Sequence, residues 1–221
     1  MTEDVRHLRA AALAEDLVTL RAESPVGNDL LSLAGEGRLT MEHLRRLVGI
    51  ELQCHVSELA AYGTIISRFP HHPTTGLYLD LGRLVYEAHF KLRECATVMG
   101  IPEERIYRWP SGPSAHAFSG LISWLALHGG QADNALAMYA DMTTYFPDCV
   151  KLLDRLGGTD LKMPDEFVDY YRGEAPDEMI QKALDVVEFG LAQGEAPAIA
   201  LERARLTDEH IGRFWQAAAD D

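Results

Sequence analysis

Two acidic side chains and a histidine lie on one face of a predicted long helix, where the other residues are apolar. Glu51, His55 and Glu58 are spaced at i, i+4 and i+7 within residues 40–68, which have helical periodicity. At about 100° per residue, this spacing places them among leucine and isoleucine side chains. The opposite face, which carries Gln53, is predicted to meet solvent. Because a buried carboxylate is costly unless it is paired, protonated or metal-bound, these residues are candidates for acid–base chemistry or metal binding.

Other predicted helices also carry polar side chains on their apolar faces. His89 faces inward on the next long helix, and Asp141 lies at the edge of an apolar face one turn before Tyr145. The last helix presents His210 and Phe214 on a broad apolar face. Burial raises the pKa of a carboxyl and lets it act as a general acid or base. A neighbouring histidine is expected to stabilise one carboxylate in its ionised form and leave another protonated.

The helices that position these side chains are predicted from apolar periodicity and from breaks at Gly and Pro. Thr2 is expected to cap the first helix, and Pro147 is expected to bend a later one. Since no segment has the pattern of a strand, residues 1–221 are predicted to form one all-α domain, a multi-helix bundle with an internal pocket. The predicted helices cover residues 2–20, 28–34, 40–68, 75–99, 114–127, 131–156, 165–172, 177–192 and 207–219.

Charge and composition restrict the function classes. The formal net charge is −14, which disfavours binding to nucleic acids or to anionic membranes. No run of about 18 apolar residues is present, so no membrane span is expected. The charged first residues lack the apolar stretch of a signal peptide, which favours a cytoplasmic protein. Cys54, Cys95 and Cys149 have no CxxC spacing and are predicted to be reduced, buried thiols.

The order of helices and motifs resembles the TenA (thiaminase II) group of the haem-oxygenase-like helical superfamily. The resemblance covers roughly residues 29–215. Glu51 stands where the family has an acidic residue that holds the aminopyrimidine of the substrate. Asp141 and Tyr145 match a cysteine and a tyrosine four residues apart, so the family's cysteine nucleophile is replaced.

Two further family motifs lie nearer the C-terminus. The segment Val168-Asp169-Tyr170-Tyr171 matches a motif of the form I-D-x-Y, with Tyr171 at the tyrosine. The pair Phe214-Trp215 matches the end of an E-x-x-F-W motif, in which Ile211 replaces the glutamate. With both the cysteine and this glutamate substituted, thiamin hydrolysis itself is disfavoured.

The residues and the resemblance together predict a small-molecule enzyme with a buried helical pocket. Its substrate is expected to be a polar, nitrogen-containing metabolite, converted by metal-independent hydrolysis, elimination or rearrangement. The predicted catalytic residues are Glu51, His55, Asp141 and Tyr145. The predicted substrate-binding residues are Glu58, Tyr62, His89, Tyr171, His210 and Phe214.

Three alternatives remain open. The superfamily also contains non-haem iron oxidases, so iron is an alternative to the favoured absence of a cofactor. A non-catalytic ligand-binding protein is the second alternative. The third is a buried polar network that serves only the specificity of the fold. The family, together with Trp109 as an expected exposed aromatic residue, favours a homodimer or homotetramer. If a metal is bound, its ligands are expected among Glu51, His55, Glu58, His89 and Asp141.

Overall fold

The computed structural model describes residues 4–220, and it describes side chains for residues 9–220. Within this part of the chain the regular secondary structure is entirely helical. Thr2, the expected cap of the first helix, lies outside these residues. The predicted all-α class is confirmed, and one continuous hydrophobic core serves the bundle. The helices are α1 (Asp4–Glu23), α2 (Asp29–Gly35), α3 (Met41–Arg68), α4 (Thr74–Val98), α5 (Ala117–His128), α6 (Gln131–Leu156), α7 (Asp165–Tyr171), α8 (Asp177–Ala192) and α9 (Pro197–Ala219).

The bounds of the helices agree closely with the sequence pattern, except at α9. α6 and α8 have the predicted limits. α9 begins at Pro197 instead of Thr207. Proline is tolerated in the first turn of a helix, where the missing N–H has no intrahelical partner. The buried Ala200 and Ala204 then continue the apolar face of α9 into the core.

The helix α3 is the central element of the site. Thr40 precedes it, and its side chain accepts a hydrogen bond from the His43 backbone N–H while the His43 ring accepts from the Thr40 N–H, a capping box. α3 packs against α4, α5 and α9. Gln53, which was predicted to meet solvent, is buried and donates a hydrogen bond to the Pro110 carbonyl at 3.0 Å. The loop after α4 therefore covers a face of α3 that periodicity assigns to solvent.

The same loop passes so close to α3 that only glycine fits at one position. A Cβ atom at Gly49 would overlap the Trp109 carbonyl oxygen. Trp109 itself was expected to be exposed, but it is partly buried, with the guanidinium groups of Arg46 and Arg105 at 5.9 and 5.4 Å from the centre of its ring. Trp109 thus belongs to the cover of α3 and not to a free aromatic surface.

The remaining helices enclose the space beside α3. α6 packs on α8 and α9, while the short helix α7 lies against α4 and α6 and closes the gap between them. α1 is fixed to α9 by the buried Asp208, which accepts hydrogen bonds from Arg21 at 2.7 and 2.9 Å. The three cysteines are buried and free of disulfide bonds, as predicted. Within residues 4–220, the helices lack the combination of length and hydrophobicity that a bilayer span requires.

Candidate active site

A cavity of about 220 Å³ lies between α3, α4, α6, α7 and α9. Among the predicted site residues, all except His89 and His210 line it. The predicted residues that line the cavity are Glu51, His55, Glu58, Tyr62, Asp141, Tyr145, Tyr171 and Phe214. They come from four different helices, so the structure brings together side chains that are up to 163 positions apart in the chain (Glu51 and Phe214; 214 − 51 = 163).

Three carboxyl groups share this cavity, and each has a raised pKa. Burial is the main cause at Glu51, and repulsion from Glu58 and Asp141 adds to it. Burial raises the pKa of Glu58 to about 7, although the Tyr62 hydroxyl opposes the shift by donating a hydrogen bond at 3.3 Å. Burial followed by repulsion from Glu58 raises the pKa of Asp141. Burial therefore favours the protonated form of all three carboxyls, and Glu58 titrates near neutral pH.

His55 is a neutral imidazole beside Glu51. Its Nε2 atom is 3.7 Å from Glu51 Oε1. Burial, followed by the neighbouring His89, lowers the pKa of His55 to about 3. His55 is thus uncharged at neutral pH and contributes no positive charge that would stabilise the expected carboxylate. Burial favours the neutral forms of both groups over a charged pair.

Tyr170 connects these two groups, although only its neighbour Tyr171 was among the predicted binding residues. Its hydroxyl lies 3.3 Å from Glu51 Oε1 and 2.8 Å from His55 Nε2. The family motif matched Tyr171 instead. Tyr171 also lines the cavity, but its ring packs on Phe167 with centroids 4.5 Å apart. The adjacent tyrosines were the available signal, and only the orientation of α7 against α3 distinguishes their roles.

Two buried phenol groups line the cavity. The Tyr145 hydroxyl lies close enough to the Glu51 carboxyl and the Cys149 thiol to oppose the rise of their pKa values by hydrogen bonding. Its ring stacks on Trp215 with centroids 5.7 Å apart and planes 12° apart. The Tyr171 hydroxyl makes no hydrogen bond with any described residue. Because a buried hydroxyl without a partner is costly, the Tyr171 hydroxyl is suited to bind a polar atom of a ligand.

His89 and His210 are the two predicted binding residues that the structure places elsewhere. His89 lies behind His55, and its Nε2 atom is 2.7 Å from the Tyr107 hydroxyl. His210 pairs with the Leu206 carbonyl at 2.8 Å, within its own helix. Helical periodicity placed both on inward faces but did not indicate which inward positions border the cavity. Neither is among the residues that line it.

The remaining lining residues are mostly apolar in the interior of the cavity and charged at its opening. Ile211 contributes an apolar surface. Cys54 and Cys149 line the cavity as thiols, because burial raises their pKa values. The opening is marked by the exposed members of the lining, Lys91, Asp169 and Glu174. The apolar side chains of the interior include Leu81, Leu84, Val85, Phe118, Met142, Phe146 and Phe214.

The candidate metal ligands do not assemble into a metal site. Across the described residues, no three His, Cys, Asp or Glu side chains are close enough together to hold an ion. His89 is turned towards Tyr107, and His55 is held by the Tyr170 hydroxyl. These donor residues therefore do not fit the iron centre that the sequence left open as an alternative.

Solved structures with the same fold are TenA homologues. The chain matches the X-ray structure of a TenA homologue from Pyrococcus furiosus with a TM-score of 0.72 and 12% identity, over 93% of this chain and 99% of that one. It matches a TenA homologue from P. horikoshii OT3 with a TM-score of 0.70 and 13% identity, over 95% and 96% of the two chains. No family model and no curated protein matches the sequence. The expected TenA-like fold is thus confirmed.

Proposed function

We propose that this protein is a small-molecule enzyme that converts a polar, nitrogen-containing metabolite by metal-independent acid–base chemistry. Hydrolysis, elimination and rearrangement are the reaction types that such chemistry supports. One observation carries the proposal: the buried Glu51 carboxyl is linked through the Tyr170 hydroxyl to a neutral His55, inside an apolar cavity. Pairs of titratable groups with shifted pKa values in a cleft are typical of active sites.

Glu51 is suited to act as the general acid. Burial raises its pKa and so favours the protonated carboxyl, which can donate its proton to a substrate nitrogen or leaving group. The resulting carboxylate would accept a hydrogen bond from Tyr170, which lies 3.3 Å away. Glu58, with a pKa of about 7, exchanges its proton near physiological pH and is suited to act as the base.

The size and surface of the cavity limit the substrate. A cavity of about 150 Å³ can hold one benzene molecule, so the volume of about 220 Å³ admits a single substituted ring. Asp141, the Tyr145 hydroxyl and the unpaired Tyr171 hydroxyl would orient its polar atoms. Phe118 and the other apolar side chains would exclude water from the reacting bonds.

A screen with amino-substituted nitrogen heterocycles tests this proposal. Compounds that raise the melting temperature are incubated with the protein, and the products are analysed by mass spectrometry. We expect Glu51→Gln to keep the fold and to lower turnover by about 100-fold or more, the typical contribution of a general acid. Glu42→Gln is the matched control, because Glu42 lies on the same helix but is exposed.

The outcomes separate the enzyme from a carrier. Product formation that is lost in Glu51→Gln and kept in Glu42→Gln supports the enzyme. Wild-type turnover in Glu51→Gln would remove Glu51 from the mechanism. A ligand that binds in the cavity and is always recovered unchanged would instead favour the non-catalytic ligand-binding protein.

A further inference from the structure

Four aromatic rings form a column from the cavity to the surface. Tyr170 and His55 line the cavity, and their ring centroids are 6.0 Å apart. His89 follows His55 at 5.6 Å, and Tyr107 follows His89 at 5.7 Å with its ring nearly parallel, at 9°. Tyr107 is 40% exposed. The outer two rings have no role in the chemistry proposed above.

Hydrogen bonds connect this column except at one junction. On the inner side, Glu51, the Tyr170 hydroxyl and His55 Nε2 are joined at 3.3 and 2.8 Å. On the outer side, His89 Nε2 and the Tyr107 hydroxyl are 2.7 Å apart. The junction lies between the two histidines, where each Nδ1 atom is buried and has no hydrogen-bond partner in the described part of the chain. Adjacent imidazoles with two unpaired nitrogens are unusual in a well-packed interior.

We propose that His89 and Tyr107 form the outer half of a proton path between the Glu51 carboxyl and solvent. The inner half is His55 and Tyr170. Protons cross the junction between the two Nδ1 atoms through a bridging water molecule, because these atoms make no hydrogen bond with each other. This inference rests on the proposed function, because acid–base turnover in a cavity whose opening is filled by substrate needs a second route for protons.

The relay balances proton by proton and moves no electrons. For reprotonation of Glu51, Tyr107 donates its hydroxyl proton to His89 Nε2, and His89 passes its Nδ1 proton through the bridging water to His55 Nδ1. His55 then donates its Nε2 proton to the Tyr170 oxygen, and Tyr170 donates its own proton to the carboxylate. Water restores the proton on Tyr107. Each imidazole changes tautomer and stays neutral.

The charged surroundings of the outer half suit this role. Arg93 faces both His89 and Tyr107 and is paired with Glu103 at 2.6 Å. Burial, and next the Arg93 charge, lower the pKa of His89, so this ring also stays neutral and can both accept and donate.

The backbone at Tyr107 has a strained conformation. Its φ angle is +67°, a left-handed conformation that is rare for a bulky side chain. The side chain that this conformation presents stacks on His89 and bonds to its Nε2 atom. Strained residues of this kind are concentrated at functional sites, which agrees with a specific role for the phenol.

Nuclear magnetic resonance of protein labelled with ¹⁵N-histidine tests the path directly. Long-range ¹H–¹⁵N correlations report the tautomer of each neutral ring. A working path requires opposite tautomers at His55 and His89, so that one Nδ1 carries a proton and the other accepts it. Two protonated or two bare Nδ1 atoms would overturn the proposal. This readout needs no substrate, so its failure is distinguishable from failure of the proposed function.

A second measurement follows exchange of the His55 N–H proton with water. We expect Tyr107→Phe, which keeps the ring and loses only the hydroxyl, to slow this exchange about tenfold. His89→Gln, which removes the imidazole from the path, should slow the exchange by a similar factor. Tyr86→Phe is the control, because it removes an exposed hydroxyl from the same region outside the path. Exchange at the wild-type rate in both path variants would show that protons reach His55 through the opening of the cavity, and the proposal would be wrong.

Discussion

Replacement of Glu58 by glutamine should stabilise the protein, and more so as the pH rises. The carboxyl is buried, with 8% of its surface exposed, and its pKa is raised from 4.5 to about 7. In the unfolded chain this group ionises at its ordinary pKa, whereas in the folded protein it must keep its proton or carry a buried charge. The stability that its protonated form contributes is complete at low pH and is lost as the pH rises through about 7.

The size of the effect follows from the two pKa values. A difference of 2.5 pH units (7 − 4.5) corresponds to about 3 kcal/mol of unfolding free energy, at about 1.4 kcal/mol per unit. Glutamine cannot ionise, and its amide can still pair with the Tyr62 hydroxyl, which lies 3.3 Å from the carboxyl. The variant should also relieve repulsion at Glu51 and Asp141, whose pKa values Glu58 helps to raise.

Urea denaturation over a range of pH measures this effect. The difference in unfolding free energy between Glu58→Gln and wild type should grow by about 2 to 3 kcal/mol from pH 5 to pH 8, in favour of the variant. Glu42→Gln, at an exposed position of the same helix, should show no such trend. Parallel stability curves for Glu58→Gln and wild type would refute the reasoning, because they would mean that Glu58 ionises freely in the folded protein.

Two other predictions follow from the fold and from the family resemblance. Gly49→Ala should destabilise the protein by about 2 kcal/mol, since its Cβ atom would overlap the Trp109 carbonyl oxygen and displace the covering loop. The control Gly63→Ala has open space around it and should stabilise α3 by about 0.5 to 1 kcal/mol; equal melting temperatures for the two variants would contradict the close contact. Separately, light scattering of the purified protein should show a homodimer or homotetramer, as the resemblance predicts, and a monomer at all concentrations would contradict it.

The sequence by itself determined the helices and the acidic face of α3. Periodicity depends only on the spacing of residues along one helix, so it predicted the limits of α6 and α8 and placed Glu51, His55 and Glu58 together. It also indicated that these polar groups are buried, because their neighbours on the face are apolar. The TenA-like fold followed from the order of motifs along the chain and is confirmed by the structural likeness.

Only the tertiary structure decided which side chains meet. Gln53 is buried because a distant loop covers it, and His89 is directed to Tyr107 because of where that loop lies. Tyr170, not Tyr171, bridges Glu51 and His55 because of how α7 packs on α4 and α6. A helical pattern gives the face of a residue relative to its own axis, but it contains no information on the rotation and offset of the next helix. Those two quantities are fixed by packing of the whole core, and they determine the distances on which the chemistry depends.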